Sequence, residues 1–233
     1  MNVLKDKSQK GLLQYWEHDI FWESGNDSID GTVGKGGKYA YNNHGDIGFS
    51  ISESLHEKYD YESLMKKCSI DFECDFSFLH LREKKENCTP PPSSDYGYWG
   101  QRNRYHCLIL STHRLRKYLP DLYWGTVFGP AYVRHFGKDR LLSSPAFKVE
   151  EWGNEMVYIQ LSENLLDLRS DRDGVRKEAD RVKEHLGLDS FFNPEKGPGG
   201  EYRVLHIYDH RVRETWFVLC LLQRCRHKAE IAI

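Results

Sequence analysis

The stretch from Leu119 to Pro145 constrains this chain more than any other. It reads Leu-Pro-Asp-Leu-Tyr-Trp-Gly-Thr-Val-Phe-Gly-Pro-Ala-Tyr-Val-Arg-His-Phe-Gly-Lys-Asp-Arg-Leu-Leu-Ser-Ser-Pro. Large aromatics alternate with glycines that open backbone conformations and prolines that close them. Ordering one residue costs roughly 1–2 kcal/mol of chain entropy. A run like this is therefore ordered only inside a packed structure, where its rings bury large areas. The segment marks the centre of a fold. It holds no phosphate loop, metal cluster or elbow-borne nucleophile, so it does not mark an active site.

With 233 residues the chain suits one large domain, or a domain with an appendage. An aromatic share of 13% excludes a disordered chain, which is poor in such residues. The net charge of −2 points to neither a nucleic-acid binder nor an acidic tail, but its distribution is uneven. Residues 1–80 hold eight Lys, no Arg and fourteen acids, whereas residues 81–140 hold eleven cations and five acids. The ordinary outcome is solvated surface charge. The sharper one is an acidic face offered to a basic partner, for which Asp27, Asp30 and Asp46 are the candidate residues.

Six cysteines (Cys68, Cys74, Cys88, Cys107, Cys220, Cys225) form no framework of close spacings. The opening Met-Asn-Val-Leu-Lys-Asp-Lys-Ser-Gln-Lys has no apolar signal region. Reduced thiols in the cytoplasm are the expectation. The longest apolar run, Trp216 to Leu222, falls far short of the ~20 residues a spanning helix needs, so no membrane partner is expected.

Along the chain, Tyr15, Trp16, Ile20, Phe21 and Trp22 supply apolar anchors, followed by a glycine loop from Gly31 to Gly37. Gly34-Lys35-Gly36-Gly37-Lys38 resembles a phosphate cradle only superficially, because the Gly-Lys-Ser/Thr ending is missing. Alternation predicts a strand over Asp46–Ser52, and Asp60 caps a helix carrying Tyr61, Leu64, Met65 and Cys68. Phe76, Phe78, Leu79 and Leu81 form a second strand. The Pro-rich stretch Lys84–Gln101 reads as a surface loop, Cys107–Leu110 as a short strand and Arg114–Tyr118 as a helical turn. Leu122–Phe128 suits a strand, and a helix starts at Pro130 and stops at Gly137. Strands at Phe147–Glu150 and Met156–Leu161 turn through Gly153-Asn154. Asp171–Leu186 is an amphipathic helix with Val175, Ala179, Val182 and Leu186 on one face. Asn193–Gly200 reads as a linker, then Tyr202–Tyr208 as a strand and Thr215–Leu222 as a short apolar element. The predicted fold is α+β, an antiparallel or mixed sheet with helices packed on it. One domain spans 1–192, a linker 193–200, and a strand and apolar element docked on the domain fill 201–233.

Several patterns invite chemistry. His206, His210, Cys220, Cys225 and His227 offer zinc-type ligands, but Val204–Tyr208 alternates like a strand, where i and i+4 stand roughly 13 Å apart. No metal or cofactor is expected. His113, His135 and His185 lie near acids, and Ser143-Ser144 supply hydroxyls. A hydrolase triad also needs an oriented base and an oxyanion hole, and no Gly-x-Ser-x-Gly elbow occurs. Glu150 and Glu151 are adjacent and would face opposite sides of a strand. Lys84, Lys85, Arg102, Arg104, Arg114, Arg116 and Lys117 interleave with Tyr96, Tyr98, Trp99 and Tyr105, as stacking with phosphate contact requires. The near-neutral total weighs against nucleic acid as a partner. Tyr123, Trp124, Phe128 and Tyr132 suit either a ligand pocket or the core. On a strand only one of Tyr123 and Trp124 would face inward.

Leu119 to Val133, Phe136-Gly-Lys-Asp-Arg-Leu-Leu-Ser-Ser-Pro, Tyr158-Ile-Gln-Leu-Ser-Glu-Asn, Lys183-Glu-His-Leu-Gly and Phe191-Phe192 together resemble small bacterial α+β proteins of the polymorphic-toxin immunity type. The resemblance covers about residues 46–192. It implies a cytoplasmic, non-catalytic protein without a cofactor that binds and neutralises a cognate toxin. It transfers no contact residues, since partner surfaces differ between toxins. The alternatives are an enzyme of hydrolase type built from dispersed His and acidic residues, and a nucleic-acid or ligand-binding module.

Overall fold

The computed structural model describes residues 4–8, 11–16, 19–24, 29–35, 44–52, 58–82, 115, 117–153, 155–193, 195–197, 199–203 and 216–224. For the strands within 4–35 and 216–224, and at residues 44–46, 50, 52 and 82, it describes the backbone course. The chain is α+β, with one mixed sheet in the order β1-β2-β3-β4-β5-β10-β6-β7-β9-β8. Strands β1 (Leu4–Ser8), β2 (Gly11–Trp16), β3 (Asp19–Ser24), β4 (Ile29–Lys35) and β5 (His44–Ser52) form an antiparallel meander. Helix α1 (Tyr61–Asp71) leads to β6 (Phe76–Arg82). The late strand β10 (Trp216–Arg224) lies between β5 and β6 and runs parallel to both. Strands β7 (Gly125–Phe128), β9 (Met156–Gln160) and β8 (Lys148–Trp152) complete the sheet with antiparallel pairings.

Local chemistry sets the helix ends. Asp60 accepts hydrogen bonds from the Ser63 backbone N–H at 2.9 Å and the Ser63 hydroxyl at 2.6 Å, which satisfies an orphan donor at the start of α1. These bonds hold the Asp60 carboxyl below its usual value. Helix α2 (Pro130–Phe136) begins on proline and ends at Gly137, whose φ of 89° is open mainly to glycine. A five-residue helix, α3 (Lys138–Leu142), follows it directly. After a single turn, α4 (Asp167–Ser170), the amphipathic helix α5 (Arg172–Leu186) is capped by Asp171 and closed by Gly187 at φ 107°. A 3-10 turn, Leu188–Ser190, follows.

Both sheet faces are covered around β6. Ser69 of α1 donates to or accepts from Ser77 at 2.9 Å, which puts α1 on the face carrying Ser77, Leu79 and Leu81. Register carries that face to Ile47 and Ile51 in β5, both buried, and Trp152 stacks on Tyr158 there at 4.1 Å. On the opposite face Phe76 meets Tyr132 of α2 at 5.7 Å, and Phe78 stacks on Tyr123 at 3.9 Å. Such ring pairs add about 0.5–1.5 kcal/mol each beyond area burial. Phe76 to Leu81 of β6 are thus all buried, as a run covered on both sides should be.

Four expectations need correction. Gly31 to Lys35 are not loop but belong to β4, where Gly31 is registered between Trp22 and Phe49. The short links of the meander lack Asn-Gly or Asp-Gly pairs, the sequence signal for tight hairpins. Strand β7 starts at Gly125 rather than Leu122. The Tyr123 N–H and carbonyl are both engaged by the Thr126 hydroxyl, and the Trp124 N–H donates to His80 Nδ1, so these two N–H groups are not free for the ladder, although the Trp124 carbonyl accepts from the Leu161 N–H at 2.9 Å. Off the strand, Tyr123 and Trp124 are both buried, where alternation would allow only one. Lys117 and Tyr118 are not helical. Next to them Leu119 makes a parallel bridge to Phe191, bonding Ser190 and Phe192.

Within 193–200, read as a linker, the described residues are folded back. The Tyr202 hydroxyl bonds the Asn193 N–H and the carbonyls of Asn193 and Gly197, while its ring packs on Tyr118 at 4.6 Å. Thr215–Leu222, read as a short apolar element, overlaps the nine-residue β10. Expected features at 84–101, 107–110 and 204–208 lie outside the described residues.

Candidate functional site

The acidic candidates are placed by the meander. Asp27 lies outside the described residues. Asp30 sits in β4, registered against Glu23 of β3 and Ser50 of β5. Asp46 sits in β5, registered against Gly34, which in turn is opposite Asp19. Because cross-strand partners share a face and parity repeats every second residue, Asp19, Glu23, Asp30 and Asp46 all fall on one face. It is the face opposite α1. Two rows result, Asp19–Gly34–Asp46 and Glu23–Asp30–Ser50, roughly 13 Å apart along the strands. Glu23 and Asp30 are directly opposed, and like charges in that position are destabilising.

Sequence reasoning missed Asp19 and Glu23. Their signal was the odd-even alternation of Asp19-Ile-Phe-Trp-Glu23, but their meeting with Asp30 depends on hairpin register, which the sequence did not announce.

Further along the Glu23–Asp30–Ser50 row, past Leu222 of β10, stands His80. Its side chain is buried and accepts from the Trp124 N–H at 3.4 Å through Nδ1, which leaves the proton on Nε2. Desolvation, then the charge of Arg172, push it down to about 3, so the imidazole is neutral across ordinary pH. Burial likewise raises the Cys74 thiol to about 12. Cys68 and Cys74 are free.

The structure brings together two residues of the hydrolase alternative. Ser143 Oγ lies 3.4 Å from His185 Nε2, but the same nitrogen is 2.8 Å from the Arg140 carbonyl. A carbonyl only accepts, so Nε2 carries a proton and offers Ser143 no base. Arg140 Nε also donates to the His185 carbonyl at 2.7 Å. The cluster ties α3 to the last turn of α5, where a basic side chain suits the helix dipole. His135 packs edge-on against Phe136 at 4.7 Å. Glu150 binds Trp152 Nε1 and Lys148, whereas Glu151 binds Lys138, so the two carboxylates diverge.

Tyr123, Phe128 and Tyr132 are packed around Phe76, and Trp124 Nε1 donates to Ser162 Oγ. The four rings of the pocket alternative are core side chains. His206, His210, Cys225 and His227 lie outside the described residues, and Cys220 is a backbone position in β10. Among the described residues no three His, Cys, Asp or Glu side chains converge to hold a metal. His113 and the basic aromatic residues Lys84, Lys85, Arg102, Arg104, Arg114, Arg116, Tyr96, Tyr98, Trp99 and Tyr105 are also outside. Gly36, Gly37 and Lys38 of the cradle-like run lie outside too. Lys117 is described, and its amine stands 6.0 Å from the Tyr202 ring centre. No helix among the described residues is long and apolar enough to cross a membrane.

No family model matches this chain, and no curated protein or solved structure matches it.

Proposed function

We propose that this chain is a non-catalytic, cytoplasmic immunity protein that binds a cognate bacterial toxin through the acidic face of β3–β5. The observation that carries the reading is the opposed pair Glu23–Asp30, flanked on the same face by Asp19 and Asp46. An isolated fold gains nothing from placing two carboxylates directly across a ladder. A partner that brings cations to them turns that cost into attraction and speeds encounter. The partner's chemistry follows: a basic protein, such as a toxin that cuts nucleic acid and must itself hold phosphates. The excess of acids over residues 1–80 extends the same field.

The test is capture from the native cell, identification of the bound protein, and association kinetics with that protein. Changing Asp27, Asp30 and Asp46 together to Asn should slow association by roughly threefold or more at low salt, and the difference should shrink as salt rises. An unchanged on-rate at low salt refutes the acidic-face reading. Turnover of a substrate by the purified chain refutes the non-catalytic one.

A further inference from the structure

Strand β8 ends the sheet, so β9 pairs with only one of its sides. The backbone groups on its other side follow from β9. The Leu161 N–H donates to the Trp124 carbonyl at 2.9 Å, toward β7, and backbone groups alternate sides along a strand. Ile159 and Val157 therefore also turn to β7, while Gln160, Tyr158 and Met156 turn to β8. Their register partners Lys148, Glu150 and Trp152 bond β9 in return. Val149 and Glu151, with Phe147 just before the strand, direct their amides outward. Among the described residues no backbone group outside β9 bonds them.

Side chains sort by the same parity. On the α1 face, Lys148 bonds Glu62 at 2.6 Å and stands 3.3 Å from Glu150. The Lys148 and Glu150 side chains remain 33% and 41% exposed, so both can meet a further partner. The other face carries Phe147, which is 56% exposed, the partly buried Val149, and Glu151, held by Lys138 of α3 at 2.6 Å. That ion pair sets the start of α3 beside the end of β8, so exposed Leu142, at the end of α3, lies toward Phe147.

An open strand edge is a template for pairing with another chain, and proteins guard such edges with charges. The charges of β8 leave one pairing open, that of the strand with itself. A two-fold axis normal to the sheet sets two copies of β8 antiparallel, with residues of equal parity opposed. Centred on Lys148, Glu150 or Glu151, the axis opposes like charges, which is destabilising. Centred on Val149, it places each Lys148 opposite Glu150 of the second copy. Phe147 then stands opposite Glu151 of the second copy and diagonal to its Val149, within reach of an aromatic ring. The outward amides match as well: Val149 exchanges both backbone bonds with its own symmetry mate, and Phe147 does so with Glu151.

We propose that β8 is a homodimer interface, at which two copies of this chain join edge to edge about Val149 into one continuous sheet. The interface lies at the other end of the sheet from β3–β5, so it leaves the acidic face uncovered and does not depend on the toxin-binding reading.

Sedimentation velocity of the full chain over a range of concentrations tests the proposal. Wild type should pass from monomer to dimer as concentration rises. Lys148→Glu and Glu150→Lys should each weaken the dimer by roughly tenfold or more, because both attractive cross-strand pairs become repulsive. An equimolar mixture of these two variants restores opposite charges across the axis. It should dimerise roughly tenfold or more tightly than either variant alone. Phe147→Ser removes an exposed ring, and Val149→Pro removes an outward N–H at an edge position that tolerates proline. Each should weaken the dimer while circular dichroism shows the wild-type fold. A wild type that stays monomeric at its highest soluble concentration, a dimer equally tight in all four variants, or a mixture no tighter than its components overturns the proposal.

Discussion

Lys183 offers the sharpest test of the packing that holds α5 in place. Its side chain is 9% exposed, and its amine lies 2.9 Å from Asp121 and 2.8 Å from Asp180. Asp121, 13% exposed, otherwise accepts only a local bond from the Leu122 N–H among the described residues. Lys183→Met removes the cation and leaves the Asp121 carboxylate desolvated without a counter-charge. Breaking a buried pair from one side costs about 3–5 kcal/mol. The more exposed contact with Asp180 adds at most about 1 kcal/mol. The expected destabilisation is therefore about 3–5 kcal/mol, read in urea as a lower midpoint at unchanged slope. The double change Lys183→Met with Asp121→Leu removes both charges and should recover most of that loss, since apolar replacement of a whole buried pair is often neutral. A single-variant loss under about 1 kcal/mol, or additive losses in the double variant, would refute the claim that this pair is desolvated and coupled.

Gly129 makes a second test. An added Cβ would stand 2.1 Å from the Cys74 carbonyl oxygen and 2.7 Å from the Asp75 Cα, and the Gly129 N–H is bonded to the Asp75 carbonyl at 2.8 Å. Neither backbone atom can swing aside, so Gly129→Ala should cost at least the roughly 1–3 kcal/mol of ordinary overpacking; wild-type stability by chemical denaturation would contradict the β6–β7 approach. Asp60→Ala should lose about 1 kcal/mol of stability as a missing helix cap. Because the Asp60 pKa is lowered on folding, its contribution is full above the unfolded-state value and disappears as pH falls through the folded value. The gap between wild type and Asp60→Ala should thus be constant near neutrality and narrow below about pH 4, and a gap that widens on acidification would contradict the assigned cap.

The acidic face rests on a like-charge pair in direct register across a ladder, Glu23 with Asp30. At β5, register puts Asp46 and Ser50 on the side opposite α1, while Ile47 and Ile51 reach the core on the other side.

Elements whose signals are local were legible in the sequence. Asp60 before an apolar helical spacing, Pro130 and Gly137 around seven residues, and Asp171 and Gly187 around fifteen each mark ends by chemistry acting over one turn. Alternation likewise marked β5, the apolar residues Phe76, Phe78, Leu79 and Leu81 marked β6, and the Gly153-Asn154 turn signal marked β8 and β9. The meander was not legible, because its tight links lack the dipeptides that demand a primed turn. Tyr123 and Trp124 misled for a related reason: their amides are claimed by Thr126 and by His80, the latter 44 residues away, and no local pattern records such a partner. Sequence by itself decided where helices begin and end and which residues must be inside, because capping, backbone freedom and hydrophobic period act between near neighbours. Tertiary structure alone decided that the last strand enters the sheet between β5 and β6. It thereby set which charged residues face each other, since register is fixed by contacts between segments far apart in the chain.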